Sequence, residues 1–282
     1  AVRPSDFGIA DHTSVLQGGP VEVDFTSTGR HAYVSNYSMY GPGYGSPGDD
    51  KCSPESGFDD SFVYRIDTET LTIDQVIAVA SVPEYVQVTP DDRYVLVSNW
   101  CSYDLSVIDV ATGVEVRRVP IGRYPRGIAV SPGSDRAYVA AMGTTDVAVV
   151  SLADFSVGWI NGVGTGPRHL VLSPDGGTLY ATLNRDGRVA KVDLGSGSVV
   201  ARVSTGTAPR SMDISADGSV LYVVNYESNT MSKVRTSDMS VMQELPTRVH
   251  PIGITVEPTT NTVWVASYRG AIHRFAEHLV LT

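Results

Sequence analysis

The chain has 282 residues, of which 42% are hydrophobic and 18% charged, and its formal net charge is −10. That length fits two average domains or one large all-β domain. No stretch approaches the roughly 18–20 continuous apolar residues that a spanning helix needs, so the composition argues against a transmembrane segment. An acidic chain without a basic run is also a poor partner for a phosphate backbone, so no nucleic acid is expected.

The sequence repeats with a period of 42 residues. Each copy contains four runs rich in Val, Ile, Tyr and Thr, separated by Gly, Pro, Asp and Ser turns, which is the pattern of a four-stranded β-propeller blade. An insertion of 21 residues at about 39–60 interrupts the first copy. We therefore predict an all-β, six-bladed β-propeller that forms a single domain over 1–282. Its blades begin near six prolines: Pro20, Pro83, Pro125, Pro167, Pro209 and Pro251.

The two ends of the chain predict how the ring closes. The last copy supplies 32 residues and stops after its third strand, and residues 10–19, "ADHTSVLQGG", supply the missing ten. We expect this N-terminal segment to form the fourth strand of the last blade, which would remove an exposed sheet edge. The chain begins at "AVRPSD" without an initiator Met or a signal-peptide core, so we expect a mature or trimmed product.

Short motifs inside the repeats point to a known family. "YVSN" at 33–36 and "YVVN" at 222–225, together with "SPDG" and "IDVATG", resemble the YVTN-type β-propeller family. This is a large group of mostly exported bacterial and archaeal proteins, and the resemblance covers nearly the whole chain. It implies the fold and export, but family members include binding modules, surface-layer pieces and enzyme subunits. Familiar members often have seven blades, so a count of six departs from the family pattern.

The residues after the repeat prolines are predicted to lie at the mouth of the central channel. Three successive blades place an arginine there, namely Arg126, Arg168 and Arg210, while Glu22 and Glu84 are expected on the other side of the mouth. Arginine is the planar, always-charged donor that suits carboxylate or phosphate. Two interpretations stay open: the arginines bind an anion, or each pairs with a neighbouring acid or carbonyl to hold the blades together.

The loops between strands two and three are predicted to open on the same face. Aromatic side chains on such loops are typical of recognition surfaces. We therefore predict a monomeric, exported binding module that takes a small organic anion or a protein partner at this face. The remaining predicted ligand-binding residues are Tyr37, Tyr85, Trp100, Tyr226, His250 and Tyr268.

The stretch "GPRH" at 166–169 suggests an alternative. With the following apolar strand and "SPDG", it resembles a stretch of the propeller lactonases over about one blade. In those enzymes an arginine and a histidine lie near the site. The resemblance implies that Arg168 binds a carbonyl or anion and that His169 is the general base. The alternative function is therefore a lactone hydrolase or a small-molecule tailoring enzyme at the same mouth.

Two cysteines predict a cross-link. Cys52 lies in the insertion, and Cys101 lies in "SNWCSYD", the equivalent loop of the next blade. Adjacent blades present these loops side by side, so we predict a disulfide, the alternative being two reduced thiols. The disulfide would stabilise the fold by about 2–4 kcal/mol. It would also indicate an oxidising compartment, meaning a secreted, periplasmic or cell-surface protein.

The insertion also carries carboxylates that could bind calcium. Their spacing matches no EF-hand, and a solvated acidic loop is the simpler interpretation. No other metal and no cofactor is predicted, because the six histidines fall at unrelated repeat positions. The acidic residues of the insertion are Asp49, Asp50, Glu55, Asp59 and Asp60.

Overall fold

A computed structural model describes residues 19–37 and 52–276. These residues form six antiparallel sheets whose strands follow one another in chain order, and the described helical structure is a single 3-10 turn at Pro54–Ser56. The first strand of every sheet begins at a repeat proline. A first strand position suits proline, which cannot donate a ladder hydrogen bond. The protein is an all-β, six-bladed β-propeller, and the predicted fold class is confirmed.

The described chain divides into two compact units. The first comprises 19–37, 52–143 and 149–157, and the second comprises 144–148 and 158–276, so the boundary falls within blade three. The single-domain assignment stays a prediction.

The first unit contains blade one, blade two and most of blade three. Blade one is β1 (Pro20–Phe25), β2 (His31–Asn36), β3 (Ser61–Asp67) and β4 (Thr72–Val79). Blade two is β5 (Pro83–Val88), β6 (Tyr94–Asn99), β7 (Asp104–Asp109) and β8 (Val114–Pro120). Blade three is β9 (Pro125–Val130), β10 (Arg136–Ala141), β11 (Val147–Ser151) and β12 (Val157–Ile160).

The second unit contains the last three blades. Blade four is β13 (Pro167–Leu172), β14 (Thr178–Leu183), β15 (Arg188–Asp193) and β16 (Ser198–Ser204). Blade five is β17 (Pro209–Ile214), β18 (Val220–Asn225), β19 (Thr230–Arg235) and β20 (Ser240–Pro246). Blade six is β21 (Pro251–Val256), β22 (Val263–Ser267) and β23 (Ala271–Phe275).

The core lies between the sheets of adjacent blades. In the first unit, Tyr33 and Val63 of blade one pack against Val86 and Ile108 of blade two. Successive side chains of a strand point to opposite faces of its sheet. A blade with a neighbour on each side therefore buries both faces, which explains the nearly continuous apolar runs in the middle strands.

The second unit is built in the same way. Met212 and Leu221 of blade five pack against Tyr180 of blade four, and Met231 packs against Val265 of blade six. Blade six has three strands among the described residues. Its predicted fourth strand, at residues 10–19, falls outside the described ranges except for Gly19. Within 19–37 and 52–276, no helix is long and apolar enough to cross a membrane.

Candidate functional site

A recurring turn precedes the first strand of the blades. The residue before the repeat proline has a positive φ at five positions, a conformation uncommon for residues other than glycine. Its carbonyl oxygen accepts a hydrogen bond from the backbone N–H of the residue that follows strand two. The positions are Val82 (φ 59°), Tyr124 (58°), Gly166 (68°), Ala208 (54°) and His250 (57°). The donors are Trp100 to Val82 at 2.8 Å, Met142 to Tyr124 at 2.9 Å, Asn184 to Gly166 at 2.9 Å, Tyr226 to Ala208 at 3.0 Å and Tyr268 to His250 at 3.0 Å.

A residue after strand two can also contact the pre-proline residue of the next blade, as Trp100 contacts Tyr124. In the first unit this contact lies within the Trp100 cluster, defined as Glu84, Trp100, Tyr124 and Arg126. The Trp100 and Tyr124 rings stack with centroids 4.5 Å apart and planes at 19°. The Arg126 guanidinium carbon lies 5.6 Å from the Trp100 ring centroid, within cation–π range. Arg126 also forms an ion pair with Glu84, which is only 4% exposed.

The ion pair corrects one expectation from the sequence. Glu84 and Arg126 were expected on opposite sides of a channel mouth, but they form a direct contact. The reason is that β5 and β9 are the first strands of adjacent blades, so equivalent positions on them are neighbours. Of the two interpretations open for the arginines, Arg126 follows the one in which the arginine pairs with a neighbouring acid.

The predicted disulfide adjoins the Trp100 cluster. Cys52 and Cys101 are joined, with their Cα atoms 5.2 Å apart, and both are almost fully buried. The Tyr103 hydroxyl donates to the Cys52 carbonyl oxygen at 2.7 Å, and its ring meets Tyr124 edge-on at 5.3 Å. Tyr37 is half-buried against the same cluster. The disulfide thus fixes Cys52 of the insertion beside the stacked rings.

The acidic residues of the insertion do not form a metal site in the described part of the chain. The Ser53 hydroxyl donates to Glu55 at 2.6 Å and lowers the pKa of that carboxyl. Asp60 is bound by Arg118 at 2.9 Å. Over 19–37 and 52–276, no three His, Cys, Asp or Glu side chains come together as metal ligands. Asp49 and Asp50 lie outside these ranges, so the calcium prediction for them stays a prediction.

In the second unit, Tyr226 and His250 stand at the repeat positions of Trp100 and Tyr124. They belong to the Tyr226 cluster, defined as Arg210, Tyr226, Glu227, His250 and Tyr268. The Arg210 guanidinium carbon lies 3.5 Å from the Tyr226 ring centroid, and the His250 ring stacks on Tyr226 at 4.3 Å and 9°. Two planar groups this close to one ring can only lie on its opposite faces. Tyr226 is therefore sandwiched between a guanidinium and an imidazole.

The Tyr226 cluster is open to solvent on one side. Tyr268 meets Tyr226 edge-on at 5.8 Å and is 64% exposed. Glu227 Oε2 lies 3.9 Å from His250 Nε2, with 53% and 38% of the two side chains exposed. The backbone N–H of His250 donates to Asn229 Oδ1 at 2.8 Å, which anchors the residue that carries the imidazole. The cluster thus offers a cation, an imidazole, a carboxylate and an accessible aromatic surface.

The Arg-His pair of "GPRH" lies on β13. Arg168 is only 5% exposed, and the half-buried His169 donates its backbone N–H to Thr182 Oγ1 at 2.9 Å. Elsewhere, Glu22 is half-buried on β1 with its backbone N–H donating to Ser35 Oγ at 3.2 Å, and Tyr85 is half-buried on β5. The ligand-binding and catalytic roles predicted for these residues stay predictions.

Sequence reasoning missed three residues that belong to these clusters or contact them. Tyr124 and Tyr103 complete the aromatic stack of the first unit, and Glu227 faces His250 in the second. A signal for Tyr124 was present, because it stands before a repeat proline just as His250 does. At the other positions before repeat prolines the side chain is small or absent, so a ring there is distinctive: Gly19, Val82, Gly166 and Ala208.

The fold and its repeats define the chain as a β-propeller. The family model described as the YNCE-like β-propeller matches residues 55–256, which is more than half of the chain. The chain belongs to this family. The propeller family suspected from the sequence is therefore confirmed, whereas the YVTN-type repeat stays a prediction. The comparison with curated proteins finds no match.

Solved structures share the fold at low sequence identity. Hydrazine synthase from Kuenenia stuttgartiensis is 23% identical with a TM-score of 0.73, over 91% of this chain and 76% of that one. The periplasmic gluconolactonase PpgL of Pseudomonas aeruginosa is 21% identical with a TM-score of 0.72, over 92% and 81%. The Cps50 (Swd1) β-propeller domain of Myceliophteria thermophila is 12% identical with a TM-score of 0.73, over 92% and 84%. At identities of 12–23%, and with such different proteins among the matches, the likeness shows the fold alone.

Proposed function

We propose that this propeller is an exported binding module that recognises a small organic carboxylate at the Tyr226 cluster. The observation that carries the proposal is the position of Arg210, whose guanidinium carbon lies 3.5 Å from the centroid of the Tyr226 ring. The exposed Tyr268 meets the same ring edge-on. A guanidinium stacked on a ring directs its N–H groups outward in its own plane. It has five such donors, so one that already has a partner can still bind a carboxylate.

The surrounding charge favours an anion with a single charge. Glu227 belongs to the same cluster, and the whole protein carries a formal net charge of −10. Both oppose a ligand of high negative charge such as a phosphate ester. A carboxylate attached to an apolar chain suits the cluster better, because the chain can pack on Tyr268.

The disulfide supports the exported location. Cys52 and Cys101 are buried together, and they join the insertion to the loop of the next blade. Structural disulfides persist in oxidising compartments and are rare in the cytosol. We therefore place the module outside the cytoplasm, in a secreted, periplasmic or cell-surface protein.

The direct test is calorimetric titration with hexanoate of the wild type and two variants. Arg210→Gln should weaken binding at least tenfold, because charge-assisted bonds to the carboxylate are lost. Arg235→Gln is the matched control. Arg235 is an exposed arginine of the same unit that pairs with Asp238 at 3.1 Å, and its replacement should leave affinity unchanged. Equal affinity in wild type and Arg210→Gln would contradict the proposal.

A second candidate is lactone hydrolysis by Arg168 and His169. It is favoured by the "GPRH" motif, and the Pseudomonas aeruginosa gluconolactonase has the same fold. In this mechanism Arg168 would bind the lactone carbonyl and His169 would act as the general base. The test is turnover of gluconolactone by wild type, Arg168→Ala and His169→Ala. The candidate would be contradicted if both variants kept the full turnover of the wild type, or if the wild type did not turn over gluconolactone.

A further inference from the structure

We infer that the ligand of the Tyr226 cluster is a hydroxycarboxylate, whose hydroxyl group bridges His250 and Glu227 while its carboxylate lies on Arg210. The inference rests on the proposed function, and it names the substrate class of that site. Two distances support it: that between His250 Nε2 and Glu227 Oε2, and that between the Arg210 and His250 groups on the two faces of Tyr226.

The gap between His250 and Glu227 suits a bridging hydroxyl. The distance of 3.9 Å from Nε2 to Oε2 is too long for a direct hydrogen bond. Two groups that bind one hydroxyl through bonds of about 2.8 Å lie roughly 4–4.5 Å apart, close to the observed spacing. A hydroxyl can accept from the imidazole N–H and donate to the carboxylate at the same time. Both side chains are partly exposed, so a ligand can reach the gap.

The sandwich sets the length of the ligand. Arg210 and His250 lie on opposite faces of Tyr226, at 3.5 Å and 4.3 Å from its centroid. The guanidinium carbon and the imidazole centre are therefore separated by roughly 8 Å, and an extended chain advances about 1.2 Å per bond. A ligand with six bonds between its carboxylate carbon and its hydroxyl oxygen, such as 6-hydroxyhexanoate, spans about 7 Å and so matches this separation.

The neighbouring side chains select against close analogues. Tyr268 is 64% exposed and offers an apolar surface for the methylene groups of the ligand. Glu227 would disfavour a second carboxylate at the far end of the ligand, because like groups repel each other. The cluster should therefore prefer a terminal hydroxyl over a terminal methyl group, and should gain nothing from a terminal carboxylate.

The test compares three ligands of equal chain length on the full chain by titration calorimetry: hexanoate, 6-hydroxyhexanoate and adipate. We expect 6-hydroxyhexanoate to bind about fivefold more tightly than hexanoate, from its two added hydrogen bonds, and adipate no more tightly than hexanoate. His250→Phe keeps a ring on Tyr226 but removes Nε2, so it should abolish the advantage of the hydroxyl. Glu227→Ala should do the same, whereas Glu244→Ala, an exposed acid of β20, should not.

The outcomes separate the inference from the function on which it rests. Equal binding of hexanoate and 6-hydroxyhexanoate, with both dependent on Arg210, would overturn the hydroxycarboxylate and leave the carboxylate site standing. Tighter binding of adipate would also overturn the inference. Failure of all three ligands to bind would overturn both proposals.

Discussion

The stacked pair of the Trp100 cluster and that of the Tyr226 cluster occupy equivalent repeat positions in the two units, yet the charged residues around them differ. In each, the aromatic residue after strand two stacks on the residue before a repeat proline, Tyr124 in the first unit and His250 in the second. An arginine also lies over each ring, but from a different position: Arg126 belongs to the blade after that of Trp100, whereas Arg210 belongs to the same blade as Tyr226. The stacked pair is therefore common to both units, and the surrounding charges are not.

The counter-charge and the burial make the two clusters different. Arg126 is paired with Glu84, which is buried, and the stack is tied to a disulfide through Tyr103. In the Tyr226 cluster the acid is the exposed Glu227, and Tyr268 is open to solvent. The stacked pair thus adjoins a buried ion pair in the first unit and an exposed acid in the second.

The largest effect should come from breaking the buried ion pair. Glu84→Ala leaves the Arg126 charge without its buried counter-ion and should lower the free energy of unfolding by about 3–5 kcal/mol, measured by urea denaturation. The double variant Glu84→Leu/Arg126→Leu should recover most of that loss, because it removes both charges. A loss below about 1 kcal/mol in Glu84→Ala would show that the pair is not a brace.

Removing the disulfide should have the next largest effect. The Cys52→Ser/Cys101→Ser variant should lose about 2–4 kcal/mol of stability, because the unfolded chain gains freedom, and the melting temperature should fall accordingly. Hexanoate binding at the Tyr226 cluster should be unchanged at temperatures where the variant is folded. A loss of hexanoate affinity under those conditions would contradict the separation of brace and binding site.

The pH dependence of stability should distinguish the two units. In the first, the Asn99 side chain donates to Asp104 at 2.8 Å. At the equivalent position of the second unit, Asn225 donates to the uncharged Thr230 at 3.1 Å. Burial raises the pKa of Asp104 to about 6. The folded state therefore holds this proton more tightly than the unfolded state, and stability falls as pH rises from about 4 to about 6. Asp104→Asn should raise stability at pH 7 by roughly 1–2 kcal/mol and flatten that part of the pH profile, measured by denaturation from pH 4 to 8. An unchanged profile would show that Asp104 does not titrate in this range.

The smallest effect is expected at the exposed acid of the second unit. Glu227→Ala should change the free energy of unfolding by less than about 0.5 kcal/mol, because its contact with His250 is exposed to solvent. Urea denaturation of Glu227→Ala and Glu84→Ala under the same conditions compares their free energies of unfolding. A cost similar to that of Glu84→Ala would mean that Glu227 is also part of a brace.

The fold was accessible from the sequence because every blade repeats the same chemistry. A proline begins each first strand, and polar turns recur with a period of 42 residues, so the blade number could be counted directly. The partnership of Cys52 with Cys101 followed from the same count, since equivalent loops of adjacent blades are neighbours.

The candidate site was only partly accessible. The repeat placed Tyr226, His250 and Tyr268 in equivalent or adjoining turns, but it could not show that Arg210 stacks on Tyr226. Nor could it show that Arg126 pairs with Glu84. Spacing gives the position of a residue in a blade, whereas side-chain pairing depends on rotamers and on the twist between blades. These differ between copies of the repeat.

The most direct test of the binding site is a titration of isotope-labelled protein with hexanoate, followed by backbone amide NMR. The carboxylate site predicts saturable shifts at the amides of Tyr226, His250 and Tyr268, with those of Trp100 and Tyr124 unmoved. Shifts confined to the Trp100 cluster, or none at saturating hexanoate, would contradict the assignment of brace and binding site to the two units.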